Sequence, residues 1–158
     1  MSPSGESPIY WSFSGPDAWR PTVSQISSAF VARPELLEEL EKKARPVDLG
    51  TDRILFRQGD SPTGVFVVRK GTVKLTSRTN GEFVLSVKAG PGSLLGVPAV
   101  VGAKPYSLTA VAMEGAELSL LTTEYFVHLM HTEPMLSFRV LEVLAEEVRF
   151  AREALTHV

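Results

Sequence analysis

The chain has 158 residues, 16 Lys and Arg against 18 Asp and Glu, a formal net charge of −2 and no cysteine. That length suits one domain, the charge lacks the basic excess a nucleic-acid binder needs, and the missing thiols exclude disulfides, thiolate metal sites and a cysteine nucleophile. With 44% apolar residues and a mean hydropathy of +0.07, it reads as an ordinary globular protein, without the roughly 20 nearly uninterrupted apolar residues of a membrane span.

Residues 1–23 read as a Pro/Ser-rich aromatic arm. Residues 1–24 hold a single basic residue, Arg20, with six serines and four prolines. A secretory signal, which needs a basic start and then an apolar stretch, is absent, so a cytoplasmic location is expected. Pro and Ser disfavour a packed core. Four aromatics nevertheless fall here, Tyr10, Trp11, Phe13 and Trp19. They predict that part of the arm packs on the body or on a neighbouring subunit.

Between Ser24 and Lys43 the apolar positions Ile26, Phe30, Val31, Leu36, Leu37 and Leu40 recur at helical spacing, split by Arg33–Pro34. Proline suits a first helical turn and its predecessor avoids helical angles, so two short helices are predicted, the second opening at Pro34. From Ala44 to Thr122 the pattern changes. The predicted strands are Ala44–Leu49, Arg53–Phe56, Val65–Arg69, Thr72–Ser77, Phe83–Val87, Ser107–Ala112 and Ala116–Leu121, with turn signals between them. Asn80–Gly81 is the sharpest of these, because a two-residue hairpin turn needs positive φ at both positions. Short, evenly punctuated strands point to an antiparallel sandwich or barrel.

The helical period returns after Leu121. Thr122 or Thr123 is placed to cap a short helix reaching about His131, and Pro134 opens a longer one to the C-terminus. Along the latter, Leu141, Leu144, Val148, Ala151, Leu155 and Val158 step by three and four, the seam of a coiled coil. Val140, Val143 and Phe150 form a second stripe to one side. A helix with two apolar faces needs two partners, its own β-domain and, most simply, a second copy of the chain. The alternative is one wide core face. Glu at Leu144 and Leu155 together is expected to abolish such a dimer.

The order of short helices, jelly-roll-like strands and a long terminal helix resembles the cyclic-nucleotide-binding domain of the Crp/Fnr family of regulators. Three segments carry the likeness: Ile54–Asp60, Gly64–Leu75, and Gly90–Gly96, where the family begins its phosphate-binding cassette. The implied fold is mainly β with flanking helices, a jelly-roll-like double-stranded β-helix over 24–133 followed by a dimerisation helix over 134–158. The implied ligand site is the cassette: Gly92, Ser93, Leu94, Leu95, Gly96, Val97, Lys104, Tyr106 and Ser107.

In the family a glutamate in that opening holds the ribose, and an arginine beside Ser or Thr pairs with the cyclic phosphate at the start of a short helix. An anion gains from both a helix N-terminus and a guanidinium. Here Ser93 stands at the glutamate position, Tyr106 at the arginine position and Leu108 in place of the small residue after the hydroxyl. Lys104 is the one nearby cation, and its point charge lacks the arginine fork. Losing one charge-assisted hydrogen bond to phosphate costs about 1.5–3 kcal/mol, so tight cAMP or cGMP binding is not expected and no cofactor is assigned.

Family regulators continue into a winged helix-turn-helix. Nothing here reads as a recognition helix, and no direct DNA binding by this chain is expected; whether it is a stand-alone sensor or a piece of a longer regulator stays open. Catalysis also lacks a motif: there is no nucleophile elbow and no Walker lysine, and Gly90–Gly96 misses the dinucleotide spacing by one position. His128 and His131 do not match a zinc pattern, and no metal is assigned. The pair Glu146–Glu147 reads as a solvated face. Two functions remain: a non-catalytic ligand-sensing module that forms a homodimer and takes a small anionic or nucleotide-like ligand, or a protein-interaction dimer with a vestigial pocket. A membrane role is not expected.

Overall fold

The structure is a computed structural model that describes residues 9–11, 21–23 and 26–156. In chain order the elements are β1 (Ile9–Trp11), β2 (Pro21–Val23), β3 (Ile26–Ser27), α1 (Pro34–Glu41), β4 (Arg45–Pro46), β5 (Ile54–Phe56), β6 (Gly64–Lys70) and β7 (Val73–Thr79). They continue with β8 (Glu82–Ala89), β9 (Leu94–Leu95), α2 (Val97–Gly102), β10 (Thr109–Ala112), β11 (Glu117–Thr122), α3 (Thr123–Thr132) and α4 (Pro134–Thr156). All seven predicted strands have counterparts.

One sheet has the order β3-β8-β7-β10-β5 and the other β4-β11-β6-β9. All pairings in them are antiparallel except that of β3 with β8. The β7–β8 hairpin turns at Asn80 and Gly81, whose φ values of 55° and 83° supply the two left-handed positions that the sequence demanded. Between the sheets lies one core, with Phe56, Leu75, Val87 and Ala110 facing Phe66, Val68, Leu95 and Leu118.

Strand β6 explains the third layer. Its alternate residues face opposite ways, so Phe66 and Val68 fill the roll while Val65 and Val67 enter a second core. There they meet Leu36 and Leu40 of α1, Phe126 of α3, and Leu136, Val140 and Val143 of α4. An uninterrupted apolar run is what a strand buried on both faces requires. The Thr122 side chain caps α3 by accepting from the Tyr125 backbone N–H at 3.4 Å, and Pro34 and Pro134 open α1 and α4 as expected.

Two sequence expectations change, and the packing expected of part of the arm is seen in β2. Residues 26–33 form no helix: Ile26 and Ser27 add a parallel edge to β8, and Ser27 Oγ accepts from the Ala29 N–H in the turn that follows. Backbone pairing with a sheet edge outcompetes a short apolar period that proline already interrupts. Leu94–Leu95 is a strand on β6, missing from the predicted set because its two residues lie inside the glycine-rich cassette opening. The arm contributes β1 and β2, paired from Ile9 with Val23 to Trp11 with Pro21, and β2 lies alongside β8. Phe13 and Trp19 fall outside the described residues.

Candidate functional site

The cassette is built by the chain turning over the open end of the roll. Gly92 at φ +89° lets its N–H donate to the Val68 carbonyl at 2.8 Å, while the Leu94 N–H donates to the Phe30 carbonyl. Gly96, at φ +94°, then sets up α2 with Pro98 in its first turn. A Cβ on Gly96 would lie 2.8 Å from Tyr106 Cε1, so this position accepts no side chain beside that ring.

Tyr106 organises the site. Its backbone is held on both sides by the Gly59–Asp60 turn: the Gly59 N–H donates to the Tyr106 carbonyl at 2.8 Å, and the Tyr106 N–H to the Asp60 carbonyl at 2.9 Å. The ring is only 2% exposed and stacks on Phe56, centroids 3.8 Å apart and planes 15° from parallel. The hydroxyl donates to the Gly64 carbonyl at 2.8 Å and accepts from the backbone N–H groups of Thr63 and Gly64. Every polar capacity of the side chain is thereby used within the fold.

Next to this ring is a small, partly open cavity walled by residues that include Phe30, Phe56, Leu95, Ala99, Tyr106 and Leu108. Water-sized molecules find room for their centres in only about 30 Å³ of it, enough for about two waters. Of the nine cassette residues named from the sequence, Leu95, Gly96, Tyr106 and Ser107 line the cavity. Leu94 and Val97 turn the other way, into the core beneath the helices. Ser93 is fully buried, with no hydrogen-bond partner for Oγ among the described residues. Gly92 packs near Leu37 and Val31. Lys104 is exposed, and neither it nor Gly92 lines the cavity.

One lining residue escaped the sequence reading. Glu147 of α4 faces the cavity, and its Oε2 is buried without a hydrogen-bond partner among the described residues. Burial pushes its carboxyl up to about 8. The solvated face expected for Glu146–Glu147 therefore holds for the exposed Glu146 alone. Glu147 follows Val143 by four and precedes Phe150 by three, which puts it inside the buried stripe of α4. That spacing was the available signal.

On the other face of α4, Leu141 is 58% and Val148 51% exposed, and Ala151 is exposed too. Leu144 packs partly against the chain's own second core. The Leu155 side chain and Val158 lie outside the described residues. Val140, Val143 and Phe150 are buried, Phe150 edge-on to Phe30 with centroids 6.2 Å apart.

The comparisons with known proteins agree with this architecture. The cyclic nucleotide-binding domain family matches residues 46–133. The chain belongs to that family. A transcriptional activator protein, anr, of Pseudomonas aeruginosa is 31% identical over 114 residues, spanning 72% of this chain and 46% of the activator. The cyclic AMP receptor protein of Thermus thermophilus is 30% identical over 98 residues, 61% of this chain and 45% of that one. The crystal structure of the Thermus thermophilus catabolite activator protein matches with a TM-score of 0.67 at 26% identity, covering 82% of this chain and 62% of that one. This member of the cyclic nucleotide-binding domain family thus spans about half the length of the curated relatives it matches. Its fold and sequence resemble the corresponding domains of the Crp/Fnr regulators, and no helix among its described residues is long and apolar enough to cross a membrane.

Proposed function

We propose that this domain is a non-catalytic, cytoplasmic regulatory module that does not read a cyclic nucleotide through a phosphate contact, and that its remaining cavity is a sensing site for a different ligand. The observation that carries the reading is Tyr106, which stands where the family resemblance puts the phosphate-binding arginine. Its ring is stacked on Phe56 and its hydroxyl is committed to Thr63 and Gly64. Among the described residues no Lys, Arg or His lines the cavity, and the one charged lining residue, Glu147, is an acid. A cyclic phosphate has no charge partner there and, with room for about two waters, no space without rearrangement. The residues present do not fit that ligand.

The exposed row Leu141, Val148 and Ala151 supports homodimerisation through α4, since exposed apolar rows on a helix beside its buried stripe mark interaction surfaces. DNA recognition in a regulator of this kind would reside outside these residues, given the net charge of −2.

The small room inside the cavity favours a second reading, a protein-interaction dimer with a vestigial pocket. Titration calorimetry with cAMP and cGMP, run at concentrations that detect a millimolar Kd, tests the exclusion of nucleotides. No binding is expected; micromolar binding overturns the proposal.

A further inference from the structure

We propose that the cavity between the roll and α4 takes a small organic cation, an amidine or amine with an apolar edge, held by the carboxylate of Glu147. This names the ligand class of the sensing site and rests on that reading.

Three observations converge on it. Among the described residues Glu147 is the one charged residue lining the cavity, and its buried Oε2 lacks a hydrogen-bond partner there. A buried carboxyl oxygen without a donor forfeits its water hydrogen bonds and gains from any donor brought to it. The rest of the wall is chiefly apolar and carries the rings of Phe30, Phe56 and Tyr106, a setting that suits a ligand with an apolar edge. The third observation is the placement of Glu147 on α4, one turn beyond Val143 and one before Phe150, on the helix that also carries the exposed apolar row. A ligand gripping Glu147 acts directly on that helix.

The neighbouring charges do not supply the missing partner. The Tyr106 hydroxyl is bound to Thr63 and Gly64. Arg33 and Arg139 both pair with Glu142, and Arg139 reaches Glu35 as well. These two arginines, with Glu142 and Glu146, line a separate cleft rather than this cavity. The Glu147 carboxyl, raised to about 8, is mostly protonated at pH 7. Binding a cation then requires proton release, and the fraction in the competent ionised form sets the apparent affinity.

Acetamidinium, acetamide and acetate are near-isosteric cationic, neutral and anionic probes, small enough for a tight cavity. Ligand-observed NMR titrations of the whole chain at pH 7 and pH 9 compare them. Acetamidinium is expected to bind with a Kd on the order of millimolar, about tenfold tighter at pH 9 than at pH 7. Glu147→Gln should abolish that binding while keeping the fold, because the amide mimics the protonated acid; Glu147→Asp should retain the preference for the cation. Equal binding of acetamide or acetate, retention in Glu147→Gln, or no acetamidinium binding at about 50 mM each overturns the inference. A micromolar response to cAMP in the calorimetry would instead overturn the regulatory reading beneath it.

Discussion

Tyr106 and Gly64 are joined twice: the tyrosine hydroxyl donates to the Gly64 carbonyl at 2.8 Å and accepts from the Gly64 N–H at 3.2 Å. This ties the cassette loop to the first residue of β6, the strand that separates the two cores. The aromatic side chain thus serves the architecture, at the position where the family resemblance puts an arginine.

Tyr106→Phe keeps the stack on Phe56 but leaves the Thr63 and Gly64 N–H groups without their acceptor. A loss of about 1–3 kcal/mol is expected, read as a lower urea midpoint with unchanged m-value. Tyr106→Arg should lose the stack as well and be less stable still, without gaining micromolar affinity for cAMP, because Ser93 provides no carboxylate for the ribose.

Gly64→Ala should be among the most damaging substitutions in the chain. Its Cβ would lie 2.2 Å from the Leu121 carbonyl oxygen, a backbone atom fixed by the β6–β11 ladder. Overpacking typically costs about 1–3 kcal/mol and more where backbone must shift, so a loss of at least about 3 kcal/mol is expected in chemical denaturation. Gly81→Ala offers a contrast, since nothing lies within 4 Å of its added Cβ; it carries only the strain of φ +83°, about 1 kcal/mol.

Stability should fall as pH rises from about 4.5 to about 8. In the folded chain Glu147 keeps its proton up to about 8 rather than the ordinary 4.5. Across that window the native state binds one proton that the unfolded state has released, so stability declines by up to about 1.4 kcal/mol per pH unit. Glu147→Gln should flatten this slope and raise the melting temperature at pH 7. Parallel pH profiles for the two proteins would refute the assignment.

The pair Leu141→Glu and Val148→Glu should convert a dimer to a monomer in sedimentation while leaving the monomer folded, since both side chains are more than half exposed. The structure makes Leu144 a poorer probe than the heptad spacing suggested. It packs partly against the chain's own second core, so a charge there would weaken fold and dimer together.

The parts legible in the sequence were those where a local signal has one structural solution. Asn80–Gly81 marked its hairpin because few other residues accept two consecutive positive φ values. Thr122, Pro34 and Pro134 marked helix starts because caps and first-turn prolines are local chemistry. Ile26–Ser27 misled because a two-residue parallel edge takes its hydrogen bonds from β8, a segment some 60 residues away in the chain. Glu147 misled because adjacent glutamates usually face water, and only the packing of Val143 and Phe150 on either side turns this one inward.

By itself the sequence determined seven of the strands, the helices that open at Pro34, Thr123 and Pro134, the two apolar stripes of the last helix and the absence of an arginine from the cassette, since each is a matter of residue type and spacing. Tertiary structure alone decided that Tyr106 spends its hydroxyl on Thr63 and Gly64, and that an acid rather than a base faces the cavity. Burial and hydrogen-bond partnership arise only when segments far apart in the chain are brought together, and no local pattern records which of them will meet.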